Sequence, residues 1–392
     1  MDFRLTEKQK AIRDMARKFA LDFIVPRAGE LESSEEHPYD LIARMAEAGM
    51  MGIPFPSEYG GGDGDWVSMN LCIEEMARAD ELPASILDVT VTGSALELYA
   101  FGTEEQKQRW LIPIVKGEEL GSIGLTEPDS GSDAGSLRST AILEGGEWVI
   151  NGSKQFITNS GLDNTSLVIV AAKTERPSDG KPVICTIIVP KGTPGFEVGQ
   201  KYDKMANKGI STRELFFNNC RVPESYLLGD INKGLANHLT SLQTGRVTVG
   251  AMSTGTAQGC LDAALSFVAH RYQGYNVLFD SQRVPFKLAD IAMRIELCRT
   301  MYLKAAWLKD MDMEFGLEAH FAKLFASETA TNISAEVLRI LSPYGYLEEY
   351  PASRFFREAK LHEIVEGTSE MQRMTIAREL FKRAGKEKTV AC

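Results

Sequence analysis

The chain has 392 residues, of which 44% are apolar and 25% are charged, and its net charge is −11 at pH 7. This length allows two or three domains with substantial cores, and the composition is that of an ordinary soluble globular protein. The negative charge, which no basic cluster offsets, argues against nucleic acid as a partner.

The N-terminal segment is charged and lacks the apolar core of a signal peptide, and no window approaches a continuous membrane span. We therefore expect a cytoplasmic protein with no membrane span. The six cysteines form no C-x-x-C pair, and the five histidines show no metal-ligand spacing. We expect reduced, mostly buried thiols and no metal site.

Helical periodicity dominates residues 5–118. Thr6 is a candidate N-cap for a first helix, and further helices are predicted over His37–Met51, Val67–Ala79 and Pro83–Phe101, with another beginning at Thr103. A glycine-rich stretch at 56–65 predicts a surface loop. We assign residues 1–121 to an N-terminal helical domain.

The pattern changes after Gly121. Short β-type runs separated by turn-rich loops predict a central β domain, barrel-like in character, over residues 122–232. Long helical stretches follow at 233–270, 283–312, 317–341 and 369–384, and they predict a C-terminal four-helix bundle over residues 233–392. The predicted fold class is α+β, mostly α.

The segment EIVEGTSEMQR (363–373) places Glu366 on a short loop before a helix. Ser369 and Gln372 have the spacing of a capping box. Because the amides at a helix N-terminus favour negative charge, we expect the Glu366 carboxylate to remain ionised. A desolvated carboxylate is suited to take a proton from carbon, although a loop glutamate that only supports the helix cap is an alternative.

Two stretches of the β domain are candidates for binding a flat heterocycle and its phosphates. The loop LTEPDSGSD (125–133) offers the hydroxyls of Thr126 and Ser132, and Gly131 permits close approach of the backbone. In KQFITNSG (154–161), Phe156 and Thr158 alternate along an apparent strand and would face one side. Plain turns and an ordinary strand face remain open alternatives.

Together with CRVPESYLLG (220–229), these three motifs stand in the order and spacing of the acyl-CoA dehydrogenase family, which the chain resembles over nearly its whole length. The resemblance implies an FAD enzyme that removes an α-proton from a CoA thioester and passes hydride to flavin N5. It also implies a homotetramer that hands its electrons to an electron-transfer flavoprotein.

The resemblance implies roles for individual residues. Glu366 is similar to the family's proton-abstracting base, and Arg246 in LQTGR to the arginine near CoA and base. Some members carry the base at the position of Gly245, whose lack of a side chain favours Glu366. The cofactor contacts that the resemblance implies are Leu125, Thr126, Gly131, Ser132, Phe156, Thr158, Arg271, Arg339 and Thr368.

Three departures from the family pattern affect ligand contacts. An Arg-x-x-Phe-Gly motif usually grips the FAD of a neighbouring subunit, whereas this chain keeps Arg271 but continues Tyr272-Gln273-Gly274-Tyr275. A glutamine and a later Gly-Gly pair are replaced by Arg339 and Ser342-Pro343, and Pro343 has no amide to donate to a phosphate. An aspartate common in the CoA-binding helix is Gln243 here, which we assign to substrate binding.

Asp88 interrupts the otherwise apolar stretch 84–98 and shares a helical stripe with residues expected to be buried. It is either solvated, paired with an arginine, or a second carboxylate in the acyl pocket. The last alternative would suit an alicyclic substrate such as cyclohexane- or cyclohexene-carboxyl-CoA, with Asp88 as a catalytic and substrate-binding residue beside Glu366.

Several functions remain open within this resemblance. The leading hypothesis is an acyl-CoA dehydrogenase, with a short- or medium-chain linear substrate as the alternative to a cyclic one. An acyl-CoA oxidase or an enoyl-CoA reductase would use the same base and flavin. A non-catalytic partner that only binds FAD or acyl-CoA is the alternative of another class, and the presence of Glu366 argues against it.

Overall fold

The computed structural model describes residues 4–176 and 178–385. Its N-terminal part is helical, as predicted, and the capping box at Thr6 is present. The predicted helix over His37–Met51 is shorter, because Gly49 adopts a left-handed φ of 69° and the chain continues as a 3-10 turn. The helices are α1 (Glu7–Phe19), α2 (Ala28–Ser33), α3 (Tyr39–Glu47), α4 (Trp66–Ala77), α5 (Glu81–Asp88), α6 (Leu96–Phe101), α7 (Glu104–Gln106) and α8 (Ile112–Val115).

A π-helical segment, Val89–Ala95, joins α5 to α6. Thr90 and Thr92 donate their hydroxyls to carbonyls one turn back, at Ile86 and Asp88. Such widened turns are rare and occur frequently at functional sites. Gly93 lets this segment approach the sheet, because a Cβ there would lie 3.2 Å from Ile123 Cδ1.

The central part is a seven-stranded sheet, which confirms the predicted β domain. The first strand pairs with the fourth in parallel, whereas most other pairs are antiparallel. The strands are β1 (Leu120–Gly124), β2 (Thr140–Glu144), β3 (Glu147–Thr158), β4 (Thr165–Glu175), β5 (Pro182–Pro190), β6 (Phe196–Lys201) and β7 (Thr212–Pro223). Their order in the sheet is β1-β4-β2-β3-β7-β6, and β5 also pairs with β4.

The C-terminal part is the predicted bundle with one further helix, and a small hairpin, Tyr272–Gln273 with Asn276–Val277, follows its first helix. The helices are α9 (Gly234–His270), α10 (Arg283–Asp310), α11 (Gly316–Leu341), α12 (Pro351–His362) and α13 (Ser369–Arg383). The sequence prediction missed α12, although Pro351 at its first position and its buried Phe355 and Ala359 were usable signals.

Polar contacts tie the bundle to the N-terminal helices. The carboxylate of Asp310, at the end of α10, accepts the free amides of Trp66 and Val67 at the start of α4. Arg299 on α10 pairs with the buried Glu74 at 2.6 Å. These contacts fix the two helical regions around α9, which packs against both.

Within residues 4–176 and 178–385, no helix has the length and apolarity needed to cross a membrane. The same part of the chain contains no cluster of three or more His, Cys, Asp or Glu side chains able to hold a metal ion. Its five cysteines are buried free thiols, and Cys392 lies outside the described residues.

Candidate functional site

A cavity of about 480 Å³ lies where the sheet meets the π-helical segment, α9 and α13. Most residues that the sequence analysis singled out meet there, although they are spread over more than 240 positions of the chain. The cavity is lined by Leu125, Thr126, Gly131, Ser132, Phe156, Thr158, Arg246 and Glu366, among others. We call it the base cavity.

A buried ion pair holds the loop 125–133 against β3. Lys154 Nζ lies 2.6 Å from Glu127 Oε1, and both side chains are almost completely buried. Burial opposes ionisation of Glu127, but the hydrogen bonds from Lys154, Ser139 and Arg138 together hold its pKa below the ordinary value. Removing either partner would leave an uncompensated buried charge, so the pair fixes the loop that carries Thr126 and Ser132.

Phe156 and Thr158 both line the base cavity, but simple strand alternation does not place them there. The pairing of β3 with β7 shifts register between Lys154 and Ile157, and Phe156 has a left-handed φ of 60°. This bulge turns the Phe156 ring outward, where it is 58% exposed and lies 5.0 Å from the Tyr202 ring. Bulges are over-represented next to active sites, where they re-aim a side chain.

The backbone at Glu366 is strained and is held in place by side-chain hydrogen bonds to its carbonyls. Glu366 has a left-handed φ of 56° and is followed by Gly367 at 90°. Arg246 Nε and Gln372 Nε2 each donate to the Glu366 carbonyl at 3.1 Å, while Lys323 Nζ donates to the Gly367 carbonyl at 2.8 Å. Three side chains from three helices therefore hold the loop in a conformation that glutamate rarely adopts.

The expectation that the Glu366 carboxylate stays ionised because of the helix amides is wrong in its physical basis. Burial raises the pKa of Glu366 to about 7, against the opposing charges of Arg246 and Lys323, and the charge of Glu97 raises it further. Glu366 Oε2 is buried without a hydrogen-bond partner among the described residues. Such a carboxylate titrates near neutral pH and can exchange a proton with a group in the cavity.

The glycine at position 245 makes room for this carboxylate. A Cβ at Gly245 would lie 2.8 Å from Glu366 Cδ, Oε1 and Oε2, closer than real Cβ contacts allow. A side chain at 245 and the observed position of Glu366 therefore exclude each other.

The predicted capping box at Ser369 is also wrong. The N-cap is Thr368, whose hydroxyl accepts the amide of Met371 at 3.4 Å, and Ser369 is the first residue of α13. Gln372 does not reach back to cap the helix, because its side chain binds the loop carbonyls and lies 2.5 Å from His320 Nδ1. Thr368 is not part of the base cavity.

Two residues assigned to substrate binding lie outside the cavity wall. Gln243 faces α11, where a Cβ at Gly316 would come within 3.4 Å of its amide group. Asp88 is only 4% exposed and accepts a hydrogen bond from Thr92 Oγ1 at 2.8 Å. Thr92 lines the cavity, so Asp88 is separated from the cavity by this one hydrogen-bonded side chain. Asp88 is therefore not solvated, which rules out one of the alternatives considered from the sequence.

A second cavity, of about 430 Å³, lies at the C-terminal ends of α9 and α11 and is lined by Arg271 and Arg339, among others. The Arg271 guanidinium lies 4.8 Å from the centre of the Tyr344 ring, and Pro343 and Tyr272 also line the cavity. Arg283 and Lys287 bring the number of cations to four, with no carboxylate among the lining residues. We call it the cationic cavity. Arg283 and Lys287 were not among the cofactor contacts predicted from the sequence.

The residues of the base cavity that were not predicted from the sequence include Glu97 and His238. Glu97 Oε1 lies 2.5 Å from His238 Nδ1, and both side chains are 1% exposed. They are 141 residues apart and belong to no motif, so only the fold brings them together.

An inward carboxylate faces a hydroxyl-lined cavity that is set between a sheet and a helical bundle. Similarity to known proteins shows that the chain is an oxidoreductase of the flavoprotein class. The chain belongs to the acyl-CoA dehydrogenase family, which acts on CH–CH groups and depends on FAD. The family's N-terminal, middle and C-terminal domain profiles match residues 6–118, 122–220 and 232–381.

Among curated relatives, the probable acyl-CoA dehydrogenase YngJ of Bacillus subtilis is 46% identical over 97% of this chain and 100% of its own length. The acryloyl-CoA reductase (NADH) of Anaerotignum propionicum is 38% identical, covering 98% of this chain and 97% of its own.

Solved structures also match nearly the whole chain. Butyryl-CoA dehydrogenase from Megasphaera elsdenii superposes with a TM-score of 0.93 at 38% identity, covering 97% of this chain and 100% of that chain. A structure described as the electron transferring flavoprotein of Acidaminococcus fermentans gives 0.94 at 39% identity, with the same coverage.

The residues present are chemically suited to FAD. The base cavity offers the hydroxyls of Thr126, Ser132 and Thr158 and the exposed ring of Phe156, which suit a flat, hydrogen-bonding ring system. The cationic cavity offers charges suited to phosphate groups.

Proposed function

We propose that this protein is an acyl-CoA dehydrogenase in which Glu366 removes the α-proton of a CoA thioester. The single observation that carries the proposal is the Glu366 carboxylate itself, which lines the cavity with a partnerless oxygen and a pKa of about 7. Bound FAD supplies the hydride acceptor that side chains lack.

The chain's own residues would position the base and set its pKa. Arg246, Gln372 and Lys323 hold the Glu366 loop, so the base meets the α-carbon in one geometry. Burial of the carboxylate raises its pKa to about 7, close to neutral pH, where a general base is most effective.

We assign the cofactor contacts to both cavities. Leu125, Thr126, Gly131, Ser132, Phe156 and Thr158 would contact the flavin side of FAD, with Thr368 near it. Arg271 and Arg339 would bind the adenine-side phosphates of a neighbouring subunit's FAD, which requires an oligomer; we propose a homotetramer. Tyr272 and Tyr344, beside Arg271, would replace the missing phenylalanine as packing partners.

For the acyl group we propose a short or alicyclic chain. Support for a short chain is the likeness to butyryl-CoA dehydrogenase. Support for an alicyclic ring is Asp88, a second buried carboxyl whose hydrogen-bond partner Thr92 lines the base cavity. Burial and then the charge of Glu366 raise the pKa of Asp88 well above its ordinary value, so only its ionised fraction would take a proton from a distal ring carbon, through or after displacement of Thr92. Gln243 would contact the CoA moiety.

An electron-transfer flavoprotein is the proposed acceptor, supported by the similarity to the Acidaminococcus fermentans structure. The second candidate is an enoyl-CoA reductase, favoured by the similarity to acryloyl-CoA reductase along nearly the whole chain. Base and cofactor would be the same in both directions.

The deciding experiment is turnover of a panel of saturated thioesters, with an artificial electron acceptor. The panel comprises butyryl-, octanoyl- and cyclohexanecarboxyl-CoA, and the matching enoyl thioesters are supplied with reduced electron donors. Oxidation of at least one saturated thioester supports the dehydrogenase. Reduction without oxidation would favour the reductase, and no turnover with fully bound FAD would contradict both.

Asp88→Asn separates the two acyl classes. We expect it to lower kcat on the cyclic thioester by about 10²-fold or more, as expected for loss of a general base, with a smaller effect on the linear one. Thr92→Val is the matched variant, since it removes the hydrogen bond to Asp88 but keeps the carboxyl. Equal losses on both substrates, or none, would remove the special role of Asp88.

A further inference from the structure

The pair Glu97–His238 is a buried, partly unsatisfied polar group on the wall of the base cavity. His238 Nδ1 and Glu97 Oε1 bond to each other at 2.5 Å. The other polar atom of each side chain, Glu97 Oε2 and His238 Nε2, is buried without a hydrogen-bond partner among the described residues. Buried polar atoms are rarely left unpaired, and those in a cavity wall are candidates for ligand contacts.

The position of the pair along the cavity follows from two contacts. Ser85 Oγ lies 3.5 Å from Met252 Sδ, and Glu97 bonds to His238, so the segment 85–97 runs antiparallel to α9. Gly245, which abuts the Glu366 carboxylate, lies midway between Met252 and His238 on α9. Each is two helical turns from Gly245, or about 10 Å.

The two directions away from Glu366 differ in exposure. Toward Met252 the site is closed, since Asp88 is 4% and Met252 3% exposed. Toward His238 it is open, because the cavity-lining Leu239 is 41% exposed. Of these two directions along α9, the one toward His238 is the more exposed. A thioester whose α-carbon meets Glu366 would place its bulky polar thiol arm on that side, where the Glu97–His238 pair lies.

The chemistry of the pair selects a neutral amide. With Nδ1 bound to the Glu97 carboxylate, His238 Nε2 is an acceptor when the ring is neutral and a donor when it is charged, while Glu97 Oε2 accepts. An amide offers both an N–H and a carbonyl, so it satisfies the pair in either state. A carboxylate would be repelled by Glu97, which disfavours a substrate acid group at this position.

The length of the pantetheine arm is compatible with this position. In an extended acyl-pantetheine thioester the two amide nitrogens lie about 7 Å and about 12 Å from the α-carbon. These distances bracket the roughly 10 Å between Gly245 and His238 along α9.

We propose that Glu97 and His238 form a binding site for an amide of the substrate's pantetheine arm, and so distinguish pantetheine thioesters from simpler ones. The proposal rests on the proposed function, namely that the base cavity accepts a CoA thioester. Glu97 positions and orients the His238 ring, and His238 contacts the amide.

The test uses two substitutions that retain different halves of the imidazole. His238→Asn keeps a nitrogen near Nδ1, so Glu97 stays paired, but has no atom at Nε2. His238→Gln reaches the Nε2 position instead. Flavin content and the unfolding midpoint show whether each variant is folded, and the FAD-loaded full-length enzyme is used throughout.

Each variant is compared with the wild type on butyryl-CoA, butyryl-pantetheine and S-ethyl thiobutyrate, which has no amide. We expect His238→Asn to raise KM about 3- to 10-fold for the first two substrates with little change in kcat, as for loss of one uniform hydrogen bond. It should leave kcat/KM for S-ethyl thiobutyrate within twofold, and His238→Gln should recover most of the lost affinity.

An equal loss on all three substrates would show that His238 only shapes the cavity, and no loss on any would show that it contacts nothing; either overturns the proposal. Wild-type turnover of butyryl-CoA is the separate test of the proposed function. If the wild type is inactive on every thioester, that function fails and the amide site fails with it, whereas an active wild type with insensitive variants refutes the amide site alone.

Discussion

The base cavity and the cationic cavity are built in opposite ways. In and around the base cavity, charges of both signs lie together: Glu366 faces Arg246 and Lys323, and Lys154 neutralises Glu127 beneath the neighbouring loop. In the cationic cavity, Arg271, Arg283, Lys287 and Arg339 meet without a carboxylate among the lining residues. The first holds its own counter-charges, so a single chain supplies its chemistry. The second carries an excess of positive charge that an anionic ligand would balance.

This difference separates two kinds of failure. Changes in the base cavity should stop proton transfer while the protein keeps its cofactor. Changes in the cationic cavity should release the cofactor while the remaining flavin-loaded molecules react normally. Four variants or groups of variants test the separation, beginning with the largest expected effect.

Glu366→Gln should lower the rate of flavin reduction by substrate about 10²- to 10⁴-fold, because it removes the base. FAD content and fold should be retained, since the amide is isosteric. The measurement is single-turnover bleaching of the flavin absorbance. Glu363→Gln is the matched control: it lies on the same loop but pairs with Lys360 outside the cavity. Near-normal reduction by Glu366→Gln would mean that another group is the base.

Gly245→Ala should lower the same rate about 10²-fold, because a Cβ at 245 lies 2.8 Å from the Glu366 carboxylate and must displace it. Gly250→Ala is the control on the same helix, where a Cβ meets neighbouring atoms only at 3.4 Å or beyond. If Gly245→Ala were as active as the control, the observed position of Glu366 would not be the reactive one.

Much of this arrangement was predictable from the sequence, and the reasons for the misses are physical. The fold followed from helical and β periodicity, and the residues around Thr126, Thr158 and Glu366 followed from contiguous motifs. The Phe156 bulge and the left-handed Glu366 backbone did not, because tertiary contacts impose these conformations against local preference.

Contacts between polar residues that are far apart in the chain could not be predicted from the sequence either. Glu97 and His238, like Lys323 and the loop carbonyls, meet only after the helices pack. The capping error has the same origin: Thr368 and Ser369 are both good caps, and the side chain of Gln372 is recruited by the loop carbonyls instead. Local sequence preferences therefore identify the residues able to cap a helix, but tertiary contacts in the folded site determine which of them does so.

Arg271→Gln combined with Arg339→Gln should weaken retention of FAD about tenfold or more, as expected for lost charge-assisted hydrogen bonds to phosphate. The rate per bound FAD should stay close to that of the wild type. Flavin content after gel filtration at decreasing protein concentration, with added salt as a second variable, measures retention. Arg221→Gln, an exposed arginine that pairs with Glu144 and Glu147, is the control. A slower rate per bound FAD would break the proposed separation of the two cavities.

The smallest effect concerns pH, and it tests the electrostatic balance of the base cavity directly. Since the pKa of Glu366 is raised to about 7, the ionised base is depleted below that pH, and kcat/KM should rise with pH toward a plateau above about 7. Arg246 and Lys323 lower this pKa, whereas Glu97 raises it. Lys323→Met should therefore move the rising limb to higher pH, and Glu97→Gln should move it to lower pH. Both are read from the pH profile of flavin reduction under limiting substrate. Shifts in the same direction, or a limb that survives in Glu366→Gln, would show that a group other than Glu366 controls the profile.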